Sequence, residues 1–331
     1  MLGIVVIGRN EGTRLQACLN SLVASGNPIV YVDSGSTDGS VDFARSLKIE
    51  VVELDKSIGF SAGRARHAGF EQLTSRFPEI EFAFFVDGDC EVVQDWPTLG
   101  AQFLREHPQV AAVAGRRRER FPRQSWFNLE CDWEWDRPVG ETLAIGGDGI
   151  YRVFAYRTLG GFDASVTAGE EPEFCSRLRQ QGWTIWRVSD EMTIHNADLT
   201  SWRQWWKRQF RTGYGGFDVE RRFHLQLFDR ILRGAAFWSV IYPAAFVAAS
   251  LVIAVLFGTT AAILTLSLAF VGWCIQVLLI ARRECRPGWL LPDTLKIACL
   301  MMLAKLPIAI GAGLASLNHW RGIGNRIVEY K

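Results

Sequence analysis

From position 234 to position 281 the chain runs for roughly 48 residues without one Asp, Glu, Lys, Arg or His, about twice the ~20 that a helix needs to cross a hydrocarbon layer about 30 Å thick. A soluble surface helix keeps a polar face, and this stretch has none. Two membrane-spanning helices fit it, with Gly258-Thr259-Thr260 as the turn that divides 235–257 from 261–281. Arg230 and Arg233 precede the run, and Arg282, Arg283 and Arg286 follow it. Cationic residues stay on the cytosolic side, so both ends of the hairpin are expected there and the turn outside. A third apolar stretch, 297–317, is interrupted by Lys305-Leu306-Pro307 and followed by Arg321, Arg326 and Lys331. A full crossing would export that basic tail. The segment 293–331 therefore reads as interfacial or re-entrant, with a third span as the alternative.

The remainder is differently composed. The formal net charge is +1 over 331 residues, which gives no global attraction to nucleic acid, and none is expected as a partner. Seven cysteines are scattered without a C-x-x-C pair, so they read as small apolar residues on a reducing, cytosolic side. The first eight residues lack the basic and long apolar regions of a signal peptide and read as a strand.

Strand and helix patterns alternate. Short β-branched or apolar runs at 4–7, 29–32, 51–54 and 82–86 are separated by helical spacing at 13–24, 41–47 and 63–73. That alternation predicts an α/β domain over 1–225, a mostly parallel sheet flanked by helices, whose ligands bind beyond the carboxyl ends of the strands. Polar motifs occupy those ends: Asn10-Glu11 and Asp33 close two strands, Asp38 follows in a polar turn, and Asp87-Gly88-Asp89 ends the run 82–86. Two carboxylates across a glycine offer hard oxygen ligands to Mg²⁺ or Mn²⁺. Near 200–215, Trp202, Trp205, Trp206 and Phe210 share one helical face and Arg203, Lys207 and Arg211 another. An amphipathic helix at headgroup level is expected there.

The series V-V-I-G-R-N-E-G at 5–12, V-D-S-G-S-T-D-G-S at 32–40, G-F-S-A-G-R-A-R-H-A-G at 59–69, V-D-G-D at 86–89, G-G-D-G-I-Y-R at 146–152, G-G-F-D at 160–163 and G-E-E-P-E-F-C-S-R-L at 169–178 resembles family 2 glycosyltransferases, over about residues 1–215. The resemblance implies a GT-A fold, inversion of anomeric configuration and a membrane anchor of the bacterial type, hence the bacterial inner membrane with a cytosolic catalytic domain. It implies that Glu11, Asp33 and Asp38 hold the nucleoside of a nucleotide-sugar, with Arg64 near the diphosphate, Asp87 on the nucleotide and the metal, and Asp89 on the metal. Glu171 stands where the family has the aspartate of an E-D pair, the base for the acceptor hydroxyl, with Glu170 as its support. Gly147, Asp148 and Arg152 would border the acceptor and sugar, and His195 would add a contact to the metal or diphosphate. The Q-x-x-R-W element of processive members is absent as such. Gln204 and Arg208 are what remains of it on the acceptor side, which speaks for single-sugar transfer to a lipid-linked or glycan acceptor in polysaccharide or glycolipid synthesis. Two other readings stay open: transfer to a polyprenyl phosphate, which needs no base, and a catalytically silent nucleotide-sugar-binding scaffold.

Overall fold

The computed structural model describes residues 1–166, 168–226 and 228–323. The chain separates into two compact units, Met1–Pro122 with Cys131–Asp198, and Arg123–Glu130 with Leu199–Lys331.

The first unit runs β1 (Leu2–Gly8), α1 (Thr13–Val23), β2 (Ile29–Asp33), α2 (Ser40–Ser46), β3 (Glu50–Glu53), α3 (Ala62–Arg76), β4 (Phe82–Asp87), β5 (Cys90–Val92), α4 (Trp96–Glu106) and β6 (Val110–Glu119). After α5 (Trp126–Trp135), which straddles both units, come β7 (Gly140–Glu141), β8 (Gly149–Arg152), α6 (Val153–Thr158), α7 (Glu170–Gln180) and β9 (Thr184–His195). Among the described residues nine strands form one sheet in the order β3-β2-β1-β4-β8-β6-β9-β5, with β7 on β9. The uninterrupted apolar runs lie at its centre, where both faces are covered: Ile4, Val5, Val6, Phe84 and Phe85 are fully buried. Helix α1 buries Leu15, Cys18, Leu19 and Leu22, the spacing of one helical face.

β1, β2, β3 and β4 are parallel, with Gly8 opposite Asp33 and Ile7 opposite Asp87. Their carboxyl ends are therefore level, and the polar motifs emerge along one edge as the alternation implied. Beyond β4 the sheet is mixed: β8 is antiparallel to both β4 and β6, and β9 is parallel to β6 but antiparallel to β5.

The second unit holds α8 (Trp202–Phe223), α9 (Asp229–Ala236), a π-helical turn (Phe237–Ile241), α10 (Tyr242–Phe257), α11 (Thr259–Arg283), α12 (Leu291–Leu303) and α13 (Lys305–Trp320). Three stretches, Asp229–Phe257, Thr259–Arg283 and Leu291–Trp320, are long and apolar enough to cross a membrane. The hairpin turn falls at Gly258, whose φ of 85° suits glycine. Within the hairpin, Tyr242 Oη donates to the Ala269 carbonyl at 2.8 Å and Ser250 Oγ to Ala262 at 3.0 Å, so polar side chains on these helices are satisfied across their interface.

Helix α8 opens with a capping box, Ser201 accepting from the Gln204 N–H while the Gln204 side chain accepts from the Ser201 N–H. Its aromatic stripe divides. Trp205 is buried, its Nε1 donating to Glu130 Oε2 at 2.6 Å, whereas Trp202 and Trp206 are exposed. Helix α13 crosses α8 so closely that a methyl group on Gly213 would overlap the Ile308 carbonyl, and one on Gly311 the carbonyl of Phe210. Because α8 packs on α13, the division between units falls at Asp198–Leu199 instead of near residue 225. The same contact helps bury the apolar part of Leu291–Trp320, 44% of which is buried against 6% and 11% in the other two stretches. Of the basic tail, Arg321 is described, while Arg326 and Lys331 lie outside the described residues.

Candidate active site

The turn after β4 sets the site. Gly88 donates its N–H to the Ile7 carbonyl at 2.7 Å, and a Cβ there would lie 3.0 Å from that same oxygen. Only glycine lets the chain pass so close to the end of β1. Asp89 follows and leads into β5, where Cys90 stands opposite His195 of β9, and His195 in turn opposite Glu119 of β6. Sheet register thus joins residues 89 and 195. Asp89 Oδ1 and His195 Nε2 are 3.3 Å apart, and His195 Nδ1 faces Glu119 Oε2 at 3.6 Å. The ring meets Trp135 edge-on, centroids 4.7 Å apart. Burial favours the neutral imidazole, but the Asp89 carboxylate outweighs it and raises the His195 pKa.

These donors fit a divalent cation. The donor atoms of Asp89, Cys90 and His195 lie within 4.8 Å of one another. Burial pushes the Cys90 thiol up, and a neutral thiol is a poor ligand. A carboxylate and an imidazole remain.

Beside them an ionic chain crosses the carboxyl edge. Asp87 Oδ1 accepts from Arg66 Nη2 at 2.7 Å and Oδ2 from Arg117 Nη2 at 3.0 Å. Arg66 Nη1 reaches Glu170 Oε1 at 2.6 Å, and Arg117 Nη2 reaches Asp148 Oδ2 at 3.0 Å. Burial favours a neutral Asp87, yet Arg66 and Arg117 hold it below the ordinary carboxylate range. Helix α7 starts after Gly169, in the left-handed region at φ 90°, and carries Glu170, Glu171 and Glu173 in its first turn, where the helix dipole favours anions. Glu171 is half-buried. Burial, reinforced by the Glu170 charge and opposed by Arg66, pushes it up to about 7.

The remaining expected residues divide into three groups. Glu11 and Asp33 are at the edge: Glu11 pairs with Arg14 at 2.8 Å, and Asp33 accepts from Tyr31 Oη and from the Gly35 and Ser36 N–H groups. Asp38 braces the cleft wall, accepting from the Gly12 N–H at 2.8 Å, while Asn10 accepts from Thr37, so the loops after β1 and β2 are tied together. Gly147 borders the ionic chain, for a side chain there would collide with the Arg66 guanidinium, and Asp148 is buried, accepting from the Asp87 N–H and Thr193 Oγ1.

Arg64 and Arg152 are elsewhere. Arg64 is turned back onto the carbonyls of Asp55, Ile58 and Gly59. Arg66, two residues on and on the other side of α3, occupies the cleft. Arg152 does not border the site: because β8 runs antiparallel to β4, Arg152 pairs with Phe82 at the amino end of that strand, and its guanidinium donates to Leu104, His107 and Val110 carbonyls. Arg152→Ala is expected to lower stability by about 1.5–3 kcal/mol and to leave turnover per folded molecule unchanged, as thermal unfolding and kinetics would measure. Gln204 and Arg208 lie on α8 in the second unit, where the Gln204 side chain is engaged in the cap.

Sequence reading missed Arg66, Arg117 and Glu119. Arg66 was legible in part, since it lies three residues after Gly63, on the α3 face that meets Glu170. Removing its charge, as in Arg66→Met, leaves Glu170 and Asp87 without their shared cation and is expected to cost about 3–5 kcal/mol, read as the loss in urea midpoint.

The mixed sheet, its flanking helices and its carboxylate edge are of the GT-A kind. Residues 3–159 match the family described as Glycosyl transferase family 2. Succinoglycan biosynthesis protein ExoA of Rhizobium meliloti (strain 1021) is 26% identical over 204 residues, covering 58% of this chain and 62% of that protein, so the match spans less than two thirds of the relative's length. Among solved structures, the mannosyltransferase PcManGT from Pyrobaculum calidifontis in complex with GDP-Man and Mn²⁺ is similar with a TM-score of 0.58 at 16% identity, over 96% of this chain and 86% of that one. S. aureus TarS 1-349 is similar with a TM-score of 0.51 at 14% identity, over 97% and 91%. These likenesses are of fold.

Proposed function

We propose that the chain moves one sugar from a nucleotide-sugar to a hydroxyl of a lipid-linked or glycan acceptor, with inversion, at the cytosolic face of the bacterial inner membrane, in the synthesis of a polysaccharide or glycolipid. The observation that carries this reading is the line Glu170–Arg66–Asp87, which ties the helix bearing Glu171 to the carboxylate pair. A carboxyl group titrating near 7 suits a general base at neutral pH. Glu171 takes the proton of the acceptor hydroxyl as its oxygen bonds to the anomeric carbon. The bond from that carbon to the diphosphate breaks, and its electron pair leaves with the diphosphate. One displacement gives inversion.

Asp89 and His195, with Asp87 beside them, would hold the Mg²⁺ or Mn²⁺; the imidazole favours Mn²⁺. When bound, such a cation offsets the charge of the leaving diphosphate. Glu11 and Asp33 would receive the nucleoside on the wall that Asp38 braces. The reading is supported by the solved neighbours that carry GDP-Man with Mn²⁺ or UDP and by a relative named for succinoglycan biosynthesis.

For the anchor, two spans are proposed, with the third stretch at the interface. Lys305, the midpoint of Leu291–Trp320, lies against Gly234, which directly follows Arg233 and is one turn from Arg230. The midpoint of a span would instead lie in hydrocarbon, where an ammonium costs about 2.5–3.5 kcal/mol.

The test is nucleoside diphosphate release from a panel of nucleotide-sugars, with and without Mn²⁺, by full-length protein extracted in detergent. No donor bound or turned over would sink the enzymatic reading. Monodisperse protein recovered without detergent would sink the anchor.

A further inference from the structure

Within the second unit the charged end of the hairpin gathers cations, of which Lys305 and Arg230 pair with no carboxylate among the described residues. Lys305 is the first residue of α13, and its Nζ lies 3.6 Å from where a Cβ on Gly234 would stand. Glycine at 234 leaves that notch open. The charges acting on Lys305 are those of Arg283, the last residue of α11, and Arg230, in the first turn of α9. Arg230 precedes Gly234 by four residues, so both lie on one face of the helix. All three groups are positive.

The nearby carboxylates are engaged. Asp229 pairs with Arg233; Glu284 pairs with Arg283 at 2.8 Å and Arg286 at 3.8 Å; Asp293 pairs with Lys296 at 3.1 Å and Arg123 at 3.6 Å. Among the described residues no carboxylate pairs with Lys305 or Arg230. Like charges held together without a counter-ion repel, and a bound anion would offset that repulsion. Apolar side chains flank the notch: Leu303 and Leu306 on either side of Lys305, and Phe237 one turn beyond Gly234, are all exposed. An anion with hydrocarbon attached fits this surface better than a free one.

We propose that Lys305 and Arg230, with Arg283 beside them, hold the phosphate of an anionic phospholipid headgroup in the notch at Gly234 between α9, α11 and α13. The site rests on the membrane anchoring proposed above. Basic pockets between helices on the cytosolic side bind headgroup phosphates in this way, with charge-assisted hydrogen bonds supplying the specificity. The bound lipid would pin the α12–α13 junction at the interface and hold the third stretch out of the bilayer.

The experiment uses full-length protein in neutral detergent, titrated with phosphatidylglycerol, phosphatidylcholine or inorganic phosphate, with melting temperature and native mass spectrometry as readouts. Phosphatidylglycerol is expected to raise the melting temperature by several degrees and to give a retained one-lipid adduct; the other two should do neither. Lys305→Met with Arg230→Gln should weaken the effect at least tenfold, and Lys305→Arg should keep it. Donor turnover in detergent serves as the folding control for each variant. An equal response to phosphatidylcholine, an equal response to inorganic phosphate, or an unchanged response in the double variant would overturn the site. Flotation with pure phosphatidylcholine vesicles separates the two readings: protein that floats while showing no phosphatidylglycerol preference keeps its anchor and loses this site, whereas protein that fails to float loses both.

Discussion

Glu171→Gln is expected to lower sugar transfer on the order of 10²–10⁴-fold, to leave donor binding intact, and to raise the melting temperature at pH 8. The two effects share one cause. Burial and the neighbouring Glu170 charge disfavour the ionised form and push Glu171 up to about 7, above the roughly 4.3 of an unfolded glutamate. A carboxyl whose folded pKa is raised stabilises the fold below its unfolded pKa, and that contribution is lost as pH rises through about 7. Glutamine removes the buried charge, so the stability difference between variant and wild type should grow from pH 5 to pH 8. Catalysis runs the other way: wild-type turnover should climb with pH through about 7 and then level. Glu171→Asp withdraws the carboxylate by roughly 1 Å and should cost ~10²-fold despite keeping the charge. A Glu171→Gln enzyme that transfers sugar normally would end the hydroxyl-acceptor reading and favour an acceptor already ionised, such as a polyprenyl phosphate.

Asp89→Ala carries the second large effect. With His195 held 3.3 Å from it by strand register, Asp89 supplies the oxygen of the carboxylate–imidazole pair. Its loss should withdraw several kcal/mol of charge compensation from the leaving diphosphate, about 10²–10⁴ in rate. Excess chelator should reduce wild type to the same level, and the variant should respond no further. Mn²⁺ titration by isothermal calorimetry in the presence of nucleoside diphosphate would show whether binding is lost with the rate. Full activity of Asp89→Ala in chelator would refute metal dependence through this residue.

Much of the α/β unit, and the hairpin of the second, was legible because the signals are local. The helix stripe Leu15, Cys18, Leu19, Leu22, the apolar run closing at Asp87 and the glycine at the hairpin turn each act within a few residues. What register decides was not. Arg152 belongs by motif to the segment that starts at Gly146, but the antiparallel entry of β8 carries it to the far end of β4. Arg116, Arg117 and Arg118 read alike in sequence; only β6, pairing with β9 through register shifts, turns Arg117 toward Asp87 and leaves Arg118 on Glu191. Arg64 and Arg66 differ by their phase on α3, and helical phase is settled by what the helix packs against. Tertiary packing also set the phase of α8, whose aromatic stripe suggested a helix at headgroup level: Trp205 turns inward to Glu130 while Trp202 and Trp206 stay exposed.

The pairing of β5 with β9 has a bearing on biogenesis. The ribosome delivers Asp89 more than a hundred residues before His195, and the two meet only when the last strand of the sheet slots between β5 and β6. A nascent chain arrested before Thr184 could tie together the loops after β1 and β2, yet it would lack His195, one of the two residues proposed to hold the cation. On the proposed function, turnover would therefore await completion of the nine-stranded sheet by β9.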